Sequence, residues 1–145
     1  MITRSKGFSL IELLVVVAIL GIISAIGIVS YSGYVEGTKK KSVENAMMQM
    51  SLAQTEFYSN NGYYYPDSPQ SATCKPQKGT DVNIEKYLLG DGTTGPDVIP
   101  DDLGYFVCGW RQGSQYGFIA LEDTSSNQCE IKMSMMGTFT RGSHC

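Results

Sequence analysis

An apolar segment near the start of the chain, residues 8–30 (FSLIELLVVVAILGIISAIGIVS), limits the possible folds more than any other feature. As an α-helix rising about 1.5 Å per residue it would be roughly 35 Å long, enough to cross a hydrocarbon layer about 30 Å thick. Its only charged residue is Glu12, and a short hydrophilic segment, residues 1–7, precedes it. The segment therefore predicts a membrane-embedded helix, and the rest of the 145-residue chain has the length of one globular domain.

Glu12 is the costly residue in this helix. A carboxylate at the middle of a bilayer costs about 2.5–3.5 kcal/mol, and less near the end of a helix. The residues alone leave two interpretations open. Either Glu12 has a shallow position and is solvated by lipid headgroups, or its charge has a partner.

The junction between the two segments resembles a known processing signal. Gly7 is followed by Phe8, then by Ser-Leu-Ile-Glu and the apolar run, with Glu12 at the fifth place after Gly7. This order resembles the class III leader of type IV pilins and of type II secretion pseudopilins. An ordinary secretory signal is cleaved after its apolar core. The resemblance instead implies that a prepilin peptidase cleaves between Gly7 and Phe8 and N-methylates Phe8, so that the apolar helix stays on the mature subunit.

The resemblance also implies a fold and a function. The fold is α+β, with a long N-terminal helix as the spine, packed on an antiparallel β-sheet. The chain would divide into a leader (residues 1–7), a transmembrane and filament-core half of the helix (residues 8–30), and a head with the amphipathic half of the helix (residues 31–145). Subunits would leave the inner membrane through its assembly machinery and form an extracellular pilus filament with other pilins. Glu12 would then pair with the amine of Phe8 on a neighbouring subunit.

Two related functions stay open, namely a minor pilin with a role in DNA uptake or adhesion, and a pseudopilin of type II secretion. The chain departs from many type IV pilins in having Val29 where a proline is common, so a proline kink is not implied. Gly21, Ser24 and Gly27 are small residues at a spacing of three, which favours close helix packing in an apolar medium. The alternative is that glycine is simply commoner in membrane helices.

A second pattern follows the apolar run. Apolar residues recur at steps of three and four between positions 43 and 57, and polar residues such as Glu44 lie between them. The pattern predicts a half-buried continuation of the helix that ends near Asn60-Asn61-Gly62, whose residues readily take left-handed conformations. The predicted buried face contains Val43, Met47, Met50 and Phe57.

Strands are predicted at residues 104–110, 116–121 and 129–136. Turns are predicted between them at residues 111–114 and 123–127, and such short links indicate an antiparallel meander that covers the amphipathic helix. A short helix is predicted around residues 82–89 within a connecting segment. Residues 137–145 follow the third strand and lead back to the last cysteine.

The four cysteines all follow the apolar run and are Cys74, Cys108, Cys129 and Cys145. No two have the Cys-x-x-Cys spacing and His144 is the only histidine, so a zinc site is not indicated. An even number beyond a membrane segment predicts two disulfides in an oxidising compartment such as the periplasm. Three pairings are possible, and spacing does not choose among them. The tail from Gln128-Cys129 through Gly137 to Cys145 is similar to that of PilE-like pilins, in which a late pair encloses the last strand and the C-terminal loop. This resemblance favours Cys129–Cys145, and we expect it together with Cys74–Cys108.

The composition disfavours DNA as the main partner. The formal net charge is −3, and loss of Arg4 and Lys6 with the leader makes it more negative. Binding of DNA or a host surface stays an alternative if the basic side chains of the head converge on one face. These are Lys75, Lys78, Lys86, Arg111, Lys132 and Arg141. The run of three lysines at residues 39–41 is interpreted as a solvated helix face, with a DNA or headgroup contact as the alternative.

Residues 90–95 (GDGTTG) match the nucleotide-binding pattern G-x-G-x-x-G, but Pro96 and Pro100 follow where a helix would begin, so we interpret the match as chance. Calcium binding in this segment is the alternative to a solvated loop, although no ligand spacing is recognisable. Its candidate ligands are Asp91, Asp97, Asp101 and Asp102. We expect no cofactor, no metal and no catalytic site, because the lone histidine adjoins an expected disulfide and no nucleophile–base pair is available without it.

Overall fold

The computed structural model describes residues 7–66, 74–90, 99–123 and 127–145. They form the helices α1 (Leu10–Asn61) and α2 (Thr80–Tyr87), a short 3-10 helix (Asp101–Leu103), and the strands β1 (Tyr105–Gln112), β2 (Gln115–Glu122), β3 (Glu130–Ser134) and β4 (Phe139–Arg141). The predicted α+β class, with a long N-terminal helix and an antiparallel sheet, is confirmed. The chain divides into two compact units, of which the first ends at Thr38 and the second is Lys39–Cys145.

Helix α1 is continuous through Gly21 and Gly27. It ends where the sequence indicates, because Gly62 has a φ of 77° and its N–H donates to the carbonyl of Tyr58 at 2.8 Å. Glycine tolerates this left-handed conformation, which closes the last turn of a helix. By length and composition, α1 is the one helix among the described residues that can cross a membrane.

The core of the second unit lies between α1 and the sheet. Val43, Met47 and Met50 of α1 are fully buried, and Phe57 packs against the same core, as the amphipathic pattern predicts. The strands contribute alternate residues to this core. We call the side of the sheet that carries them the core face; its members are Tyr105, Val107, Tyr116, Phe118, Ala120, Ile131 and Met133.

Two polar residues of α1 are buried as well. Glu44, one of the polar residues between the apolar positions of the pattern, is only 6% exposed, because Arg141 covers it. Gln54 is fully buried, and its side-chain amide bonds reciprocally to the main chain of Tyr65, with both N···O distances at 2.8 Å. Buried polar groups need such partners, and these two pin distant segments to the helix.

The sheet is an antiparallel meander in the order β1-β2-β3-β4. The predicted turn at residues 111–114 is too long, because Arg111 and Gln112 continue β1 and only two residues, Gly113 and Ser114, join it to β2. Gly113 has a φ of 61°, as tight hairpin turns require. Strand β4 was not among the predicted strands; it has three residues, too few for alternation to be visible, and it exists because it pairs with β3.

The two disulfides of the structure are Cys74–Cys108 and Cys129–Cys145, the pairing that the sequence analysis favoured. They belong to opposite faces of the sheet. Cys108 is opposite Ile119 in the strand register, and Ile119 is opposite Lys132, so the three side chains lie on the outer face, away from α1. Cys129 belongs to the buried core, and Cys145 packs against it.

Candidate assembly surface

The start of α1 is organised by Ser9 and Glu12. The main-chain N–H and the hydroxyl of Ser9 donate to Glu12 Oε2 at 2.9 and 2.8 Å, and the Glu12 N–H donates to Ser9 Oγ at 3.3 Å. This reciprocal arrangement is a capping box, which pairs donors that a helix start leaves unsatisfied. The sequence signal, serine followed three residues later by glutamate, is present at Ser9, but the sequence analysis considered only the charge of Glu12.

The capping box changes what Glu12 can do. A carboxylate in the first turn also interacts favourably with the positive end of the helix dipole. Glu12 therefore has intramolecular stabilisation even where lipid surrounds the helix. Both bonds from Ser9 end on Oε2. Among the described residues nothing donates to Oε1, so this oxygen can accept a bond from another molecule.

The residues on either side of the expected cleavage site precede α1. Gly7 and Phe8 are outside any helix or strand, and the side chain of Phe8 is 83% exposed. Removal of residues 1–7 would therefore leave the capping box intact, because both of its members follow the Gly7–Phe8 bond.

The apolar half of α1 is exposed in the single chain. All residues from Leu10 to Ile28 are exposed, and most carry large aliphatic side chains. Burying one such side chain contributes about 1.5–3 kcal/mol, so a surface of this size is unstable in water. It therefore requires either lipid or other apolar helices around it.

The small residues of this half create a shallow groove along one side of the helix. Its lining residues are Ile23, Ser24, Gly27, Ile28, Tyr31 and Ser32. The hydroxyl of Ser24 donates to the carbonyl of Leu20 at 2.7 Å, so it is satisfied within the helix and leaves no polar group that needs water. Apart from the adjacent residues and the nearby backbone of the helix itself, no atom of the described residues lies within 4 Å of where a Cβ would be at positions 21 and 27. A second helix can approach closely here.

A cluster of charges joins the C-terminal segment to α1 in the second unit. Arg141 Nε donates to Glu44 Oε1 at 2.8 Å, and Lys41 Nζ donates to Glu44 Oε2 at 2.9 Å. Lys40 Nζ donates to the main-chain oxygen of Cys145 at 2.8 Å. We call these five residues the C-terminal clasp. Burial raises the pKa of Glu44, but the hydrogen bonds and charges of Lys41 and Arg141 outweigh burial, so this pKa lies below its ordinary value.

The clasp revises the interpretation of the lysine run at residues 39–41. Lys40 and Lys41 both make contacts within the second unit and are not simply a solvated face. Lys41 carries part of the positive charge that the buried Glu44 needs, and Lys40 bonds to the C-terminal segment, which sequence patterning along one helix could not indicate.

Three of the six basic side chains proposed for DNA binding are on the sheet, and they do not share one face of it. Lys132 is on the outer face beside Glu130, whereas Arg141 is on the core-face side of β4. Arg111 is on β1, at the other edge of the sheet, with its guanidinium 5.2 Å from the ring centre of Tyr63. The arrangement gives the DNA-binding alternative no support.

The metal and nucleotide alternatives fall largely outside the described residues. Asp91, Asp97 and most of the glycine-rich motif at residues 90–95 lie there, and Asp102 is exposed. Within the described ranges, no group of three or more histidine, cysteine, aspartate or glutamate side chains could hold a metal ion.

Comparisons with known proteins agree with the resemblance at the N-terminus. The family described as the prokaryotic N-terminal methylation motif matches residues 2–28. The chain is also similar to the fimbrial protein EcpC of Eikenella corrodens, with 35% identity over 122 residues, which cover 84% of this chain and 76% of the relative. No solved structure gave a significant match. The similarity to EcpC extends well beyond the apolar helix into the second unit.

Proposed function

Because the chain belongs to the type IV pilin family, we propose that it is a structural subunit of a type IV pilus and that it polymerises through the apolar half of α1. One observation carries the proposal: every residue of α1 from Leu10 to Ile28 is exposed in the single chain, whereas the second unit has its own core and two disulfides. The helix anchors the subunit in a membrane and later packs with other pilins. The second unit stays in water throughout and forms the pilus surface.

We propose that processing removes residues 1–7 before assembly. Cleavage of the Gly7–Phe8 bond by a prepilin peptidase, followed by N-methylation, would create a new amine at Phe8. The exposure of Phe8 outside the helix supports access to this bond. The capping box of Ser9 and Glu12 keeps the helix start folded next to it.

The new amine gives Glu12 its proposed partner. In the filament core a charge among apolar side chains is strongly unfavourable unless it is paired. Oε1 of Glu12 is available to the amine of Phe8 on a neighbouring subunit, while Oε2 keeps its bonds to Ser9. Pairing would set the axial register between helices, because both charges are near the same end of α1.

The remaining steps need partners. We propose that the subunit waits in the inner membrane and that assembly machinery there supplies the work of extraction. We also propose that the chain has no catalytic activity of its own. A role in DNA uptake, adhesion or type II secretion would need a further feature, such as a binding site on the second unit, in addition to the exposed apolar helix that supports the pilus subunit.

Filaments sheared from the native bacterium test the function and the processing separately. Electron microscopy and mass spectrometry should find this chain in the filaments, with an intact mass that lacks residues 1–7 and includes one added methyl group. Absence of the chain from filaments in cells that produce it would contradict the structural role. Filaments built from subunits that keep residues 1–7 would contradict the processing step alone.

A further inference from the structure

The C-terminal clasp lies beside the Cys129–Cys145 disulfide. Gly142 donates its N–H to the carbonyl of Glu130 at 2.8 Å, and Cys145 donates its N–H to the carbonyl of Gly142 at 3.3 Å. The chain thus turns back toward the start of β3, where Cys129 is fully buried. Lys40 holds the main chain of Cys145 itself.

The polar contacts of the clasp fix β4 and the residues after it against α1. Glu44 is buried, so its carboxylate depends on Arg141 and Lys41 for stabilisation. Arg141 is the last residue of β4 and is opposite Ile131, on the core face. Because Arg141 bonds to Glu44 on the core-face side of the sheet, the residues that follow Arg141 are on the side of Cys129. Cys108 is on the opposite, outer face of the sheet.

We propose that Lys40 and Glu44 are positioning residues for disulfide formation, which place Cys145 against Cys129 before the bond exists and so select the native pairing. Chain length alone selects weakly. The native bonds join cysteines separated by 16 and 34 residues, and each doubling of loop length changes the closure probability by only about threefold. This proposal does not rest on the pilus function.

The chemistry is thiol–disulfide exchange, with a glutathione disulfide or a protein disulfide as the oxidant. A thiolate of Cys129 or Cys145 attacks the oxidant, releases one thiolate and forms a mixed disulfide; the second cysteine thiolate then displaces the other half of the oxidant. Two cysteine thiols are oxidised, and one disulfide is reduced to two thiols. The clasp acts on the second step, because it holds Cys145 near Cys129 and so raises the effective concentration of the attacking thiol at the mixed disulfide.

The test is a redox titration of the full chain in detergent micelles. Reduced chain refolds in buffers of varied glutathione ratio, the thiols are trapped by acid and alkylation, and each disulfide is quantified by mass spectrometry. K40M and E44Q should each lower the equilibrium constant for the Cys129–Cys145 bond by about tenfold, the usual effect of losing a charged hydrogen bond. The Cys74–Cys108 bond should change by less than about twofold.

Matched controls come from the outer face of the sheet. K132M and E130Q remove a lysine and a glutamate whose side chains pair with each other at 3.0 Å and point to the face opposite Glu44. The main chain of Glu130, which bonds to Gly142, is unchanged by E130Q, so both variants should leave both equilibrium constants unchanged. K40R keeps a donor for Cys145 and should behave like the parent chain. If E44Q fails to fold, K40M alone decides.

Two outcomes overturn the proposal. The first is a Cys129–Cys145 constant in K40M within about twofold of the parent, because loss of a charged hydrogen bond at the docking site should be visible. The second is an equal loss of both disulfides in K40M, since that reports general instability of the second unit. The proposal is supported if K40M weakens only the Cys129–Cys145 bond and K40R keeps the constant of the parent chain.

Discussion

Ser9 and Glu12 bond to each other in both directions across the first turn of α1. The Ser9 N–H donates to Glu12 Oε2 at 2.9 Å, and the Glu12 N–H donates to Ser9 Oγ at 3.3 Å. Within the apolar segment at residues 8–30, Glu12 is the only charged residue, and this bond gives it an intramolecular role in addition to the proposed pairing between subunits. The two roles can be separated by substitution.

We expect S9A to loosen the start of α1 without unfolding the rest. Loss of the hydroxyl removes the cap on the Glu12 N–H, which typically costs about 1 kcal/mol. Amide hydrogen exchange in micelles should therefore be about fivefold faster at Glu12 and Leu13, whose N–H groups bond to Ser9. S24A is the matched control, because the Ser24 hydroxyl bonds to Leu20 within the helix and caps nothing. Equal amide exchange rates at the start of α1 in S9A and S24A would show that Ser9 does not cap the helix.

We expect E12A and E12Q both to fail to enter filaments if pairing with the amine of Phe8 is required. Glutamine can still accept bonds in a capping box, but it carries no charge. The measurement is the amount of subunit in sheared filaments relative to the amount in membranes, in cells without a parent copy. Normal assembly of E12Q with loss in E12A would show that the cap suffices and would contradict the charge pairing.

We expect Q54L to destabilise the second unit by about 1–3 kcal/mol, because it leaves the buried main-chain N–H and carbonyl of Tyr65 without their partners. Urea unfolding of the full chain in micelles, followed by near-ultraviolet circular dichroism, measures this loss. Q49L makes the same substitution at an exposed position of α1 and should change stability by less than about 0.5 kcal/mol. Similar values for the two variants would show that the Gln54 contacts contribute little.

We expect G117A to destabilise the sheet by about 1–3 kcal/mol. A Cβ at Gly117 would lie 2.5 Å from the carbonyl oxygen of Met133 and 2.7 Å from the ring of Trp110, its neighbour across the β1–β2 pair. The control is G142A, where the nearest atom to a Cβ is 3.5 Å away. The same unfolding assay applies, and a G117A chain as stable as G142A would mean that the strands adjust freely.

We expect acid to weaken the C-terminal clasp. Burial raises the pKa of Glu44, yet the hydrogen bonds and charges of Lys41 and Arg141 bring the net value below the ordinary 4.5. The unfolded chain therefore takes up this proton at a higher pH than the folded chain does. The contribution of Glu44 to stability is full above about pH 4.5 and is lost as pH falls through the folded pKa.

Unfolding free energies measured from pH 7 downward check this dependence. E44Q should lose less stability than the parent chain in the acid range, because it has no carboxylate to protonate at this position. E130Q removes a carboxylate on the outer face and leaves Glu44 in place, so this variant should lose as much stability in acid through Glu44 as the parent chain does. An identical acid profile for E44Q and the parent would show that the clasp does not respond to pH.

The sequence by itself determined the features that depend on neighbours along the chain. The apolar run and the apolar residues that recur every three or four positions after it indicated one continuous helix through both segments, and the structure has this helix at Leu10–Asn61. Gly62 marked its end, and β-rich runs located three of the four described strands. Such patterns are local, because a helix or strand repeats its buried side at a fixed period.

Only the tertiary structure decided which distant residues meet. Four cysteines allow three pairings, and strand register places Cys108 and Cys129 on opposite faces of the sheet, so each bonds on its own side. Glu44 lies between the apolar positions of its helix, yet Arg141, far along the chain, covers it once β4 pairs with β3. These contacts follow from sheet register and packing across the core, which have no period along the sequence from which they could be predicted.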